Sequence, residues 1–237
     1  MAHWVIVPAA GIGTRMGSIT PKQYLPLGGQ TVLGQTLHRL ASLPGLARIV
    51  VALHPEDHFW PELALPAGIS VSVCEGGSQR SQSVLNALQS LQDEAGEDDW
   101  VLVHDAVRPC VRVAEIATLL CEIAGHPCGG LLAVPVSSTL KRRDEAGNVA
   151  ATLPRENVWQ AATPQAFRAG RLRHALEVAL LRGAEITDEA SALELAGYSP
   201  RLVRGSADNI KITYPEDLHL AELILAAQQR ETARAAD

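Results

Sequence analysis

The 237-residue sequence has few aromatic residues, no long apolar run and no excess of positive charge. Phe, Trp and Tyr make up only 4% of the chain, so aliphatic side chains must fill its core. No run approaches the roughly 18 apolar residues of a membrane-spanning helix. The formal net charge is −6, whereas nucleic-acid binders usually carry a basic field. We therefore expect neither a membrane nor a nucleic acid as partner.

The four cysteines, Cys74, Cys110, Cys121 and Cys128, form no Cys-x-x-Cys pair and have no histidine at a zinc-site spacing. We expect them to be reduced thiols. The first residues lack the basic and apolar regions of a secretory signal, so we expect a soluble, cytoplasmic protein. A hydrophobic content of 47% is enough for one sizeable core, which favours a single domain over residues 1–237.

The stretch of residues 4–25 organises the rest of the chain. Four apolar residues typical of a buried strand precede the loop Pro-Ala-Ala-Gly-Ile-Gly-Thr-Arg-Met-Gly at residues 8–17. Small residues let backbone N–H groups approach a ligand, and successive N–H groups in a turn form an anion site. Arg15 in the loop and Lys22 beyond it add two cations. This combination suits a polyphosphate better than a plain strand-to-helix turn with two solvated cations.

Two familiar phosphate motifs do not fit this loop. The dinucleotide fingerprint needs G-x-G-x-x-G, whereas the chain has G-x-G-x-x-x-G and no acid at the end of the next strand, Val51 to His54. The P-loop needs Gly-Lys where the chain has Met16 and no following lysine. These failures disfavour an oxidoreductase and a P-loop protein. The remaining pattern, with Pro-Lys-Gln downstream, resembles nucleotidyltransferases that activate sugars and polyols.

A second loop follows the predicted strand at residues 69–74. Gly76 and Gly77 are followed by polar residues and then by apolar residues at helical spacing. Helix N-termini attract anions, so we expect this loop to face a ligand. Capping of the helix by Ser78 or Ser81 is the alternative.

The predicted central strand at residues 100–103 ends in His104 and Asp105. A carboxylate at the carboxyl end of a central strand is well placed to bind a hard cation beside phosphates. Asp105 is therefore the candidate Mg²⁺ ligand; the alternative is a turn cap paired with Arg108. We interpret His104 as a packed histidine, because phosphoryl transfer needs no base here.

The alternation of strand and helix breaks at about residues 136–158. A polar turn at residues 144–148 is flanked by short alternating segments, which predicts a β-hairpin arm. A two-stranded arm is marginal alone, so we expect it to pack on a second subunit as a homodimer. The arm carries candidates for a further anion site, although a solvated charged hairpin explains them as well: Thr139, Lys141, Arg142 and Arg155.

The rest of the sequence returns to alternating elements. We predict a helix at residues 171–181, a helix capped by Thr187, strands at residues 198–204 and 208–213, a last helix opened by Pro215, and a fraying tail from Gln228. The lone Lys211 lies in the second of these strands.

Seven segments together carry a resemblance to a known family: PAAGIGTRM, PKQYLPLGGQTVL, GGSQRSQSV, VLVHDAVRPC, RENVWQAATPQ, ITDEASALE and ADNIKIT. They span Pro8 to Thr213, and together they resemble the 2-C-methyl-D-erythritol 4-phosphate cytidylyltransferases of the non-mevalonate isoprenoid route. The resemblance implies an α/β, three-layer Rossmann-like fold with a mostly parallel sheet and a protruding hairpin arm. It implies transfer of CMP from CTP to methylerythritol phosphate. A ribitol-phosphate cytidylyltransferase and a non-catalytic nucleotide-sensing module remain as alternatives.

The resemblance also implies roles for individual residues. For CTP it implies Ala9, Ala10, Gly11, Gly13, Gly77, Arg80 and Ser83, with Arg15, Lys22 and Lys211 catalytic. For the acceptor it implies Asp105, Ala106, Thr163 and Thr187, with Arg108, Thr139 and Arg155 arriving from the partner's side. It places Mg²⁺ beside Asp105. The chain departs from the family at Val107, where alanine is usual, and at Ser78, where an acidic residue is frequent.

Overall fold

The computed structural model describes residues 2–11 and 20–236, so the predicted contributions of Gly13 and Arg15 lie outside the described residues. A seven-stranded sheet has the order β11-β7-β10-β6-β1-β4-β5. Its strands are β1 His3–Pro8, β4 Leu46–Leu53, β5 Val71–Glu75, β6 Trp100–Val103, β7 Gly129–Pro135, β10 Trp159–Arg168 and β11 Arg201–Arg204. Only β10 runs antiparallel to its neighbours, β6 and β7. The prediction of a mostly parallel α/β sheet is confirmed.

Helices cover both faces of this sheet. They are α1 Val32–Ala41, α2 Arg80–Ser90, α3 Val113–Ile123, α4 Ala169–Leu181, α5 Glu189–Leu195 and α6 Pro215–Ala236. Along β1, Val5 and Val7 pack with α1 and α3, whereas Trp4 and Ile6 pack with α2, α4 and α5. This alternation is the period of two expected of a strand buried on both faces. None of the described helices combines the length and apolarity that a bilayer crossing requires.

Two short hairpins stand outside the main sheet. Strands β2 Pro26–Leu27 and β3 Gln30–Thr31 pair with each other. Strands β8 Leu140–Arg143 and β9 Val149–Leu153 form a second antiparallel pair, which is the predicted arm.

Two sequence-based assignments near the end of the chain are wrong. The segment 208–213 is not a strand: Ile210 N–H bonds the Asp208 carbonyl at 2.7 Å, a local turn, and only Ile212 reaches the Val107 carbonyl, at 2.9 Å. The predicted fraying tail from Gln228 is instead the continuation of α6, because Gln228 is buried and donates to the Cys110 carbonyl at 2.9 Å.

One predicted helix cap, and the alternative that a serine caps α2, also differ from the structure. The cap of α5 is Asp188 and not Thr187: Asp188 accepts from the Ser191 amide at 2.9 Å, and the Ser191 hydroxyl reaches back toward the Asp188 amide. At α2 the N-cap position is Gln79, which makes no side-chain cap, so neither Ser78 nor Ser81 caps this helix.

Candidate active site

A crevice of about 280 Å³ opens where β1, β5 and β6 end. Because parallel strands present their carboxyl ends at one edge of a sheet, the segments that follow these three strands meet there. The crevice is lined by residues predicted for CTP, namely Ala9, Ala10, Gly11, Gly77, Arg80 and Ser83. It is also lined by Lys22, Asp105, Ala106 and Lys211, and by the two departures from the family pattern, Ser78 and Val107.

The two loops of the crevice pack tightly against each other. A Cβ atom on Gly76 would collide with the Ala10 side chain and lie 3.0 Å from the Leu53 carbonyl oxygen, so only glycine fits. The buried Gln23 side chain donates to the carbonyls of Ala9 and Gly11 at 2.8 and 3.1 Å. The start of the glycine loop is thereby fixed by the protein itself.

Ser83 organises the second loop from below. Its hydroxyl oxygen accepts from the Gly77 amide at 3.0 Å and donates to the Gln79 carbonyl at 3.1 Å. Ser83 is only 2% exposed, so it supports the crevice wall mainly through these two bonds.

Asp105 pairs with three cations, of which Arg108 is close in sequence while Arg80 and Lys211 are distant. Arg80 Nε lies 3.1 Å from Oδ1, while Arg108 Nε and Lys211 Nζ lie 3.1 and 3.0 Å from Oδ2. Burial alone would raise the pKa of the Asp105 carboxyl, but the three cations reverse this and hold the pKa well below its usual range. Asp105 is therefore a carboxylate throughout the physiological range.

His104 and Thr163 fix the backbone of Asp105 from beneath. Thr163 Oγ1 accepts from the Asp105 amide at 3.0 Å and lies 3.1 Å from His104 Nδ1, while His104 Nε2 lies 3.0 Å from the Arg108 carbonyl. A carbonyl can only accept, so Nε2 carries the proton of the neutral ring and Nδ1 accepts from Thr163. The interpretation of His104 as a packed histidine is confirmed, since it is 0% exposed.

Lys22 and Lys211 converge although they are far apart in sequence. Lys22 Nζ donates to the carbonyl of Ile212, the residue after Lys211, at 3.0 Å, and both lysines line the crevice. Two ammonium groups are thus brought to one wall beside the glycine loop.

A second crevice, of about 360 Å³, adjoins the first and shares Lys211 with it. Arg108 and Asn209 also line it; Arg108 Nη1 donates to the Asn209 carbonyl at 2.7 Å. The expectation that Arg108 arrives from a partner subunit is wrong, because it lies three residues after Asp105 and pairs with that carboxylate within one chain.

Four predicted acceptor residues are not on the wall of either crevice. Thr163 is 4% exposed, with its hydroxyl bonded beneath Asp105. Thr187 is exposed just before α5, and Thr139 and Arg155 are exposed at the arm, where Arg155 donates to the Ser137 carbonyl. Their contacts with a substrate stay predictions.

The crevice can offer a metal ion one carboxylate. Among the described residues, no cluster of three or more His, Cys, Asp or Glu side chains is arranged around a possible metal position. A carboxylate has about four lone-pair positions, and three donors already contact Asp105. This donor set fits Mg²⁺ held mainly by nucleotide phosphates and water, and not a metal caged by protein.

Sequence reasoning missed Glu189, which is 1% exposed and whose Oε1 lies 2.5 Å from Arg80 Nη1. In the sequence it is one of two acids at a predicted helix start, where an exposed residue interacting with the helix dipole is the ordinary expectation. Only the fold brings it to Arg80.

A doubly covered, mostly parallel sheet with a glycine loop and clustered cations at its carboxyl edge is the arrangement expected of a nucleotidyltransferase. The family model of IspD, 2-C-methyl-D-erythritol 4-phosphate cytidylyltransferase, matches residues 3–227. The chain belongs to this family.

Similar proteins that bear the name of this family match the chain over nearly their full lengths. One from Hahella chejuensis (strain KCTC 2396) is 51% identical over 96% of this chain and 95% of the relative. One from Pseudomonas fluorescens (strain SBW25) is 52% identical over 94% of this chain and 95% of the relative. The crystal structure of the Francisella tularensis family member has a TM-score of 0.82 at 40% identity and covers 94% of this chain and 100% of that one.

Proposed function

We propose that this chain transfers the cytidylyl group of CTP to 2-C-methyl-D-erythritol 4-phosphate, releasing pyrophosphate, in the non-mevalonate isoprenoid pathway. Family membership supports the reaction and disfavours ribitol phosphate as acceptor. The observation that carries the assignment of the site is that two crevices meet at Lys211, next to Asp105 and its other two cations. Two polyanions have to meet in this reaction, so shielding of their charges is the main task.

CTP occupies the first crevice in this proposal. Its triphosphate lies against the glycine loop, Arg15 and Lys22, and the pentacoordinate α-phosphate is stabilised by Lys22 and Lys211. Preorganised donors and cations aimed at developing charge are the largest contribution to such transfers. The remaining CTP contacts are assigned to Ala9, Ala10, Gly11, Gly13, Gly77, Arg80 and Ser83.

The acceptor occupies the second crevice, with its phosphate between Arg108 and Lys211. An oxygen of that phosphate attacks the α-phosphorus of CTP and pyrophosphate leaves. The phosphate is already ionised near neutral pH, which is why a buried neutral His104 is compatible with this chemistry. Further acceptor contacts are assigned to Asp105, Ala106, Thr163 and Thr187.

Mg²⁺ is proposed as the required cation. When bound, it neutralises phosphate charge and fixes the conformation of the triphosphate. Asp105 is its proposed protein ligand. The chain's own part is to keep Asp105 ionised through its three cations.

The arm is proposed to join two subunits. Val149 and Leu153 on β9 are 64% and 38% exposed, which leaves apolar surface for a second copy to cover. Thr139 and Arg155 would then reach the acceptor site of the partner. We place the homodimer in the cytoplasm, where its free thiols stay reduced.

Pyrophosphate release tests the proposal directly. Purified protein is incubated with CTP, UTP or ATP and with methylerythritol phosphate or ribitol phosphate, with Mg²⁺ present or chelated. Release only with CTP, methylerythritol phosphate and Mg²⁺ is expected. Faster release with ribitol phosphate would show that ribitol phosphate is the acceptor. CTP binding without pyrophosphate release on any acceptor would indicate a nucleotide sensor.

A further inference from the structure

Glu189 is a buried carboxylate next to the nucleotide crevice, although it does not line it. It is 1% exposed, and its Oε1 accepts from Arg80 Nη1 at 2.5 Å. Its Oε2 is also buried and accepts no hydrogen bond from the described residues. Burial of a carboxylate is costly unless it is paired, so Arg80 is what makes this position tolerable.

The backbone around Glu189 is clamped to the central sheet. Gln165 on β10 donates through Nε2 to Asp188 Oδ2 at 2.8 Å, and its Oε1 accepts from the Ala190 amide at 2.8 Å. The residues on both sides of Glu189 are therefore held by one side chain, which is itself 1% exposed. These two hydrogen bonds fix the backbone position of Glu189.

Arg80 bridges two carboxylates, those of Asp105 and Glu189. Its Nε donates to Asp105 Oδ1 at 3.1 Å while its Nη1 donates to Glu189. Burial lowers the pKa of Arg80, but Glu189 and Asp105 raise it more, so the guanidinium stays charged. These contacts leave other guanidinium donors available, and the side chain is 28% exposed where it lines the nucleotide crevice.

Without Glu189, the guanidinium would be free to turn onto Asp105 alone. A two-pronged pair with one carboxylate is a favourable arginine geometry, and it would change the direction in which the remaining N–H donors point. The Arg80 guanidinium in that orientation would also compete with Lys211 and Arg108 for Oδ2 of Asp105.

We propose that Glu189 is a positioning residue for nucleotide binding, which holds the Arg80 guanidinium in the orientation that presents its remaining donors to the phosphates of CTP. This rests on the proposed function, because it assumes that CTP occupies the first crevice. Glu189 itself touches neither substrate.

Direct CTP binding by calorimetry, without acceptor, tests the proposal separately from turnover. Glu189→Gln keeps the shape of the side chain and removes its charge. We expect its Kd for CTP to rise at least about tenfold, the scale of one misplaced charge-assisted hydrogen bond. The KM for the acceptor should stay within about twofold of wild type. Glu194→Gln, an exposed change on the same helix, is the matched control and should bind CTP normally.

A double-mutant cycle separates positioning from general damage. In an Arg80→Met background, Glu189→Gln should cause no further loss of CTP affinity, because the group it positions is gone. The double variant should also unfold at higher urea than Arg80→Met alone, since it leaves no unpaired buried carboxylate. The double variant is therefore expected to fold even if one of the single variants is unstable.

The proposal would be overturned if Glu189→Gln lowered the affinity for CTP by the same factor in the wild-type protein and in Arg80→Met. It would also be overturned if Glu189→Gln alone left the affinity for CTP within about twofold of wild type. A parallel rise of both substrates' KM values would likewise assign Glu189 a general structural role. If the full Glu189 effect on CTP binding appears while no acceptor yields pyrophosphate, the proposed reaction fails and the positioning role stands.

Discussion

Replacing Lys211 by methionine removes a charge at the point shared by both crevices. Lys211 Nζ lies 3.0 Å from Asp105 Oδ2, and its side chain is 40% exposed. Arg80 and Arg108 still contact the same carboxylate after the change. Because a partly exposed ion pair is screened by water, we expect Lys211→Met to cost less than about 1 kcal/mol of unfolding free energy.

The expected effect of Lys211→Met on turnover is much larger. In the proposed reaction, negative charge grows on the α-phosphate beside this ammonium group. Loss of one preorganised group aimed at developing charge typically costs about 3 kcal/mol of transition-state stabilisation. This predicts a fall in kcat of about 100-fold, with a smaller rise in the KM for CTP because Lys22 still faces the triphosphate.

The assay measures pyrophosphate release at saturating acceptor and varied CTP, alongside urea unfolding of the same preparations. Arg201→Met is the matched control, since Arg201 makes an exposed ion pair with Glu122 at 3.1 Å and lies on β11. It should lose neither activity nor more than about 1 kcal/mol of stability. A kcat for Lys211→Met within about threefold of wild type would refute the assigned role.

Three further predictions concern other parts of the site. Lys22→Ala should fold normally and lose about 100-fold in turnover, measured as pyrophosphate release; near-normal activity would remove Lys22 from the catalytic group. Arg155→Glu should raise the acceptor KM and leave the KM for CTP nearly unchanged, and equal damage to both would contradict a separate acceptor site that includes the arm. Burial lowers the pKa of His104 from 6.5 to about 4. Because the unfolded state then binds more protons between these values, up to about 3 kcal/mol of stability is present above pH 6.5 and lost as the pH falls toward 4. Urea unfolding across this range should show a shallower pH dependence in His104→Gln, and an unchanged slope would contradict a neutral buried ring.

The parts of the fold that sequence reasoning found are those with strong local signals. Strand β6 is an uninterrupted apolar run, and Pro215 opens α6 because proline suits a first helical turn. Parallel pairing of the strands then places the loops that follow them along one edge of the sheet. This was enough to bring Gly77, Asp105 and the glycine loop to one crevice.

Sequence reasoning failed where neighbours in space decide the outcome. Thr187 and Asp188 are both good caps, and the choice of Asp188 depends on Gln165, which binds its other carboxylate oxygen from β10. Segment 208–213 has strand-like residues, but within the described part of the chain it pairs with no strand of the sheet, so it forms a turn and a loop that carries Lys211. Arg108 was assigned to a partner by the family resemblance, although its spacing of three residues from Asp105 also offered the pairing that the structure shows.

A carboxylate at the centre of a site that binds two polyanions needs a physical reason. Arg80, Arg108 and Lys211 belong to three separate segments, and without a central negative charge their mutual repulsion would push them apart before any substrate arrives. Asp105, fixed at the end of β6 by Thr163 and His104, supplies that charge at a defined position. The cations are thus arranged in advance, so their ordering does not have to be driven by substrate binding. This explains how a chain with net charge −6 can concentrate positive groups at one edge of its sheet.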